Sequence, residues 1–92
     1  MSVVLAPEAV DDLAAAVDYL TEHRPDAADR FIDRAFDLFR ALDQREFEGP
    51  VQRLRDGSET RSWPLPPYRV YYRRSDAGLV VLRVYHQARR PL

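Results

Sequence analysis

The sequence has no cysteine and no lysine, and only one methionine and three glycines in 92 residues. Without cysteine there is no disulfide to staple the fold, and no thiolate to act as a nucleophile. That composition suits a reducing compartment, so a cytoplasmic location is expected. The two histidines, His23 and His86, stand far apart with no thiolate to join them. A metal site is therefore not expected, and no cofactor is either. No apolar stretch approaches the length of a membrane span. The opening "MSVVLAPEAVDD" lacks the basic start and extended apolar core of a secretory signal. The absence of lysine leaves arginine as the source of all fourteen basic side chains. Coding bias can explain that choice, but its chemistry still matters. Arginine is a permanently charged planar fork suited to phosphate, carboxylate and aromatic faces.

What is present describes one ordinary globular domain spanning 1–92. An apolar content of 46% against 32% charged residues supports a single modest core. The net charge of −1 conceals an asymmetry: residues 1–50 hold five arginines against twelve acidic residues, and residues 51–92 hold nine against three. An acidic front and a basic back imply two differently charged surfaces.

The pattern along the chain gives an element order. "SVVLA" is a short β-branched run ended by Pro7, which suits the first position of a helix. Val10, Leu13, Ala14, Val17 and Leu20 then recur at helical spacing, until Pro25 forces a stop near Arg24. Asp26 is a favourable cap for a second helix with Phe31, Ala35, Leu38 and Leu42 inside, widened by Ile32, Phe36 and Phe39. So short a connection makes the helices an antiparallel hairpin. Residues 44–58 lose all period and read as a loop, with Val51 and Leu54 candidates to tuck inward. Three strand patterns follow: "TRSWPL", "YRVYYRR" and, after the turn "SDAG", "GLVVLRVYH". The expected fold is α+β, in the order β-α-α-β-β-β, a helical hairpin on one face of a mainly antiparallel twisted sheet. Val70, Val80, Leu82 and Val84 are the expected sheet contribution to the core. Arg69 or Tyr71, together with Arg83 and Tyr85, would occupy the other face; a one-residue slip would reverse this.

The stretch "RSWPLPPYRVYYRR" gathers arginine and aromatic residues on one presumed strand pair. Such a surface can grip phosphates and stack bases, or anchor a protein interface. The candidate binding set is Arg61, Tyr68, Arg69, Tyr71, Arg73 and Arg83, with Arg89 and Arg90 in the basic tail. His86 carries the one imidazole there, the side-chain type whose unperturbed pKa lies nearest neutrality and which can serve as acid or base. Its place beside Val84 also allows a structural role at the strand end.

Taken in order, these segments resemble the RelE/ParE superfamily of type II toxin–antitoxin toxins. The resemblance rests on "LAPEAVDDLAAAVDYL", "PDAADRFIDRAFDLFRAL", "GSETRS" and "YRVYYRRSDAGLVVLRVYHQAR", and covers nearly the whole chain. It departs in a small way at Ala6, where a capping serine is common. The resemblance implies a toxin neutralised by a cognate antitoxin, with which it would form a hetero-oligomer. RelE-like members cut messenger RNA on the ribosome, whereas ParE-like members poison DNA gyrase.

The nuclease reading would use Arg69, Arg83, Tyr85 and His86. Arginine can stabilise a phosphorane but cannot serve as a base. The lysines that RelE-like nucleases use are missing, with Thr60 and Ser62 in the region where they would stand. The ParE-like branch is therefore favoured, with RNA cleavage and an inactive binding module of the same fold as the alternatives.

Overall fold

The first break in the helical pattern is made by proline, and the computed structural model, which describes residues 2–88, bears this out. Its elements are β1 (Val3–Leu5), α1 (Pro7–His23), α2 (Pro25–Asp43), β2 (Val51–Arg53), β3 (Glu59–Leu65), β4 (Tyr68–Ser75) and β5 (Gly78–His86). Pro7 and Pro25 each stand in a first helical turn, where the missing N–H has no partner to lose. The sequence reading caps the second helix at Asp26; in the structure Arg24 both closes α1 and opens α2, at φ −149° and ψ 72°. Pro25 excludes its predecessor from the α region, so the ring sets the boundary and no side-chain cap is needed. Asp26 lies inside the first turn, where its charge still meets the helix dipole.

The strands form one sheet in the order β1-β5-β4-β3-β2. The pair β1–β5 is parallel and the other three pairs are antiparallel. The expected architecture holds, with one strand more than the pattern revealed. β2 lies inside the stretch read as a loop and pairs with Glu59–Arg61 across a turn closed by Leu54 N and Ser58 O at 2.7 Å. Three residues are too few to display a period of two. Val51, expected to tuck inward, is 53% exposed on this edge strand, while Leu54 is half-buried.

The core joins Ala9 and Ala16 of α1 to Phe31, Ala35, Phe39 and Leu42 of α2, over Leu65, Val70, Tyr72, Leu79, Val81 and Val84 of the sheet. Alanines at the contact let α1 approach the sheet closely. Val10 and Phe36, read as part of the inner stripes, are instead about half exposed. The assignment of β5 also changes: Leu79 and Val81 are inside, not Val80 and Leu82. A β-bulge explains it. Tyr71 stands opposite Arg83 and Tyr72 opposite Val81, which leaves Leu82 as an extra residue. One extra residue moves the alternation by one, so odd positions before it and Val84 after it face the helices.

Gly49 is required by a close approach: a Cβ there would collide with the Ser62 carbonyl. Its N–H donates to the buried Tyr72 hydroxyl at 2.7 Å, and that hydroxyl donates to Glu48 at 2.6 Å. Among the described residues no helix is long and apolar enough to cross a membrane.

The bulge gives an expected inversion of mutational cost. Leu79→Ala should destabilise by about 2–5 kcal/mol, as for a filled core site. Val80→Ala should cost clearly less. Urea unfolding of the two variants checks the order; equal costs would contradict the bulged register.

Candidate functional site

Antiparallel partners share a face, so the β3–β4–β5 register assigns the candidate side chains to sides of the sheet. Trp63, Val70 and Val84 align on the helical side, as do Leu65, Tyr68 and His86. Pro64, Arg69 and Tyr85 align on the opposite, uncovered side, and so do Ser62, Tyr71 and Arg83. The candidate nuclease set is thereby divided. Arg69, Arg83 and Tyr85 belong to the open face, and His86 to the helical one.

The arginines differ in what holds them. Arg83 turns toward α1, where its Nε and Nη2 donate to the Asp12 carboxylate at 2.8 and 3.0 Å. The same carboxylate accepts the Val84 N–H at 2.9 Å. Arg83 also lies 5.1 Å from the Tyr85 ring centre. The bond to Asp12 raises the already high Arg83 pKa, so its charge is permanent and internally paired. Arg69 points its Nε at Ser62 Oγ, 2.8 Å away, and Ser62 bonds Gln52. Arg73 is exposed.

At the other end of the sheet Glu48 collects three partners. It accepts two bonds from Arg74 at 3.0 and 3.1 Å and one from the Tyr72 hydroxyl, with Arg61 3.9 Å away. Hydrogen bonding from Arg74 is the main cause holding the Glu48 carboxyl below its ordinary value. Burial, then the bond to Glu48, pushes the Tyr72 phenol up. Arg61 also donates to the Gly49 carbonyl at 2.8 Å, which makes it a brace for residues 48–49.

His86 meets the Tyr68 ring edge-on at 5.1 Å, and Tyr68 lies 5.3 Å from Phe31. His86 Nδ1 accepts the Ala88 N–H at 3.1 Å, so the strand-end role is present. These rings border a cavity of about 700 Å³ between the helices and the end of the sheet. Its apolar lining includes Ala16, Leu20, Ala27 and Phe31, and Arg24 and Arg34 stand among its polar residues. His23 is elsewhere, stacked on Tyr19 at the exposed end of α1.

Of the candidate set, then, Arg69, Tyr71, Arg73, Arg83 and Tyr85 share the open face. Arg61, Tyr68 and His86 do not, and Arg89 and Arg90 lie outside the described residues. Sequence reasoning missed Asp12, Glu48, Gln52 and Ser62, which decide how each arginine is held. Only their acidic or polar character was visible; their partners are 7 to 71 residues away. Among the described residues no group of three or more His, Cys, Asp or Glu could hold a metal ion.

With this geometry in place, the comparisons fall on one family. The family described as "ParE toxin of type II toxin-antitoxin system, parDE" matches residues 3–91. The chain belongs to that family. A similar solved structure is "Chromosomal ParDE TA system from P. aeruginosa", with a TM-score of 0.74 and 19% identity. The alignment covers 94% of this chain and 95% of that one. At that identity the likeness speaks for the fold alone. No curated protein sequence matches the chain.

Two outcomes follow from the ion pairs. Asp12→Ala removes the acceptor of the Val84 N–H and of Arg83; it should destabilise by about 1–3 kcal/mol, measured by urea unfolding. Glu48 has a folded pKa below its ordinary value of 4.5. Its contribution is therefore fully present above about pH 4.5 and is lost as pH falls through the lower folded value. Stability measured from pH 6 to pH 2 should fall less steeply in Glu48→Gln than in the parent across that acid range.

Proposed function

We propose that this ParE-family chain is a toxin that inhibits DNA gyrase by binding it, and that a cognate antitoxin neutralises it in the cytoplasm as a hetero-oligomer. The observation carrying this reading is the division of the candidate nuclease set. RNA cleavage through the 2′-hydroxyl requires a base, an acid and positive charge at one phosphate. Here the only imidazole of the candidate set, His86, is on the helical side, while Arg69 is on the other. Arg83 spends its two best donors on Asp12. Lysine, which could have supplied both charge and a proton, is absent from the chain.

The cavity beside the helical hairpin supports the second half of the proposal. Its apolar floor is flanked by Arg24, Arg34 and His86, a lining suited to an amphipathic helix with acidic residues at its margin. An antitoxin segment of that kind would cover Phe31 and Tyr68 and satisfy the two arginines.

Purified gyrase decides the target. Supercoiling should be inhibited by the chain, and drug-like cleavage complexes should accumulate; if neither occurs, the gyrase reading is wrong. Primer extension on translated messages should reveal no new cuts, and cuts would favour ribosome-dependent cleavage of mRNA instead. For the antitoxin, Ala15→Glu places a carboxylate in the groove at an exposed position. Co-purification with the antitoxin encoded alongside should fall by about tenfold or more while the thermal midpoint stays near that of the parent; undiminished capture would remove the groove as the seat.

A further inference from the structure

Four arginines of the described chain are half-buried: Arg61, Arg69, Arg74 and Arg83. A guanidinium drawn partly out of water needs compensation, and a nearby carboxylate is the usual source. Glu48 serves Arg61 and Arg74, and Asp12 serves Arg83. Arg69 alone among these four has no carboxylate within ion-pairing distance among the described residues. Its bonds all use Nε, at 2.8 Å to Ser62 Oγ and 3.4 Å to Gln52 Oε1. Ser62 is fully buried, so the anchor is firm. The Nη1–Nη2 fork makes no hydrogen bond among the described residues. Arg69 is thus a charge held in place by neutral groups with its bidentate end unused.

The surroundings say what could meet that end. By register the open face also carries Val4, Thr60, Pro64, Tyr71, Arg73, Val80 and Tyr85. None of the described strand residues assigned to it is Asp or Glu. The face therefore complements an acidic surface, and Val4, 50% exposed, gives it an apolar margin. Nucleic acid is the poorer match. Among the described residues it has just two arginines without an internal acid, Arg69 and Arg73, and the chain as a whole carries −1. Arginine and tyrosine beside apolar side chains form the composition of a protein hot spot.

We infer that the open face of the sheet is where the toxin holds its protein target, with the Arg69 fork receiving a carboxylate from the target's surface. This rests on the reading above that the toxin acts by binding a protein, gyrase. It adds the face, the anchoring residue and the chemical group on the partner. The antitoxin's seat lies on the helical side, so the two contacts are separable. Fixing Arg69 through Ser62 means little side-chain freedom is lost when the carboxylate arrives. Ser62 and Gln52 are positioning residues, and Arg69 makes the contact.

The test is an inhibition assay on purified gyrase with Arg69→Gln and Arg69→Lys, each also measured for antitoxin co-purification. Arg69→Gln should raise the half-inhibitory concentration at least about tenfold. Arg69→Lys should recover only part of the loss, because an ammonium cannot pair both carboxylate oxygens in one plane. Both should retain the antitoxin as the parent does. Unchanged inhibition by Arg69→Gln overturns the inference, as does loss of antitoxin along with inhibition. So does binding of a labelled RNA or DNA oligonucleotide by the parent that Arg69→Gln abolishes. If the parent leaves gyrase untouched, only the choice of gyrase falls. Growth after induction without antitoxin then decides: relief of arrest by Arg69→Gln supports the face, and undiminished arrest removes it. A parent that neither inhibits gyrase nor arrests growth refutes both readings.

Discussion

The carboxylate of Asp12 ties the helical layer to strand β5 at the point where the sheet loses its neighbour. β1 pairs with β5 only as far as Val81, and Ala6 N makes the last backbone bond to that residue at 2.9 Å. Beyond it the outer edge of β5 would present bare backbone donors. Asp12 takes the Val84 N–H and neutralises Arg83 in one contact. An edge that could recruit a stray strand is thereby occupied by a side chain of its own domain. The bulge at Leu82 sits just before this contact, and the added twist there turns Val84 under the helices. Helix position, edge protection and the wall of the adjoining cavity all depend on this joint, since Asp12 and Val84 both line that cavity.

Much of this was legible in the sequence because it is local. Helix starts follow from Pro7 and Pro25, the amphipathic stripe of α2 from its phenylalanines, and three long strands from their β-branched and aromatic residues. What escaped depends on distant partners. A bulge is a disagreement between two strands, so the alternation of β5 read by itself assigns Val80 and Leu82 to the wrong side. β2 is a strand only because β3 lies beside it. The same limit applied to the site. The basic-aromatic stretch was visible as composition, but Tyr68 and Arg69, adjacent in sequence, serve opposite faces. That Arg83 is internally paired and Arg69 is not could be read only once Asp12 and Ser62 were in place.

The distribution of compensation among the arginines also explains how an almost neutral chain can present charged surfaces. Glu48 and Asp12 absorb three guanidinium groups at the ends and edge of the sheet, where they act as braces. The helices keep most of the remaining acid, while the open face holds Arg69 and Arg73, which have no ion pair among the described residues. A small domain with one core can then offer two partners two chemically distinct sides. One is a groove of alanine, leucine and phenylalanine; the other is a flat patch of arginine and tyrosine.

The strand order has a consequence for how such a chain is made. β5 lies inside the sheet between β1 and β4, yet it is the last of the described strands to be synthesised. Until it emerges, β1 has no neighbour, Asp12 has nothing to bind, and the core lacks Leu79, Val81 and Val84. The described sheet therefore cannot close until its last strand has been made. The sheet on which both faces depend is thus completed late, when β5 slots between two strands already made.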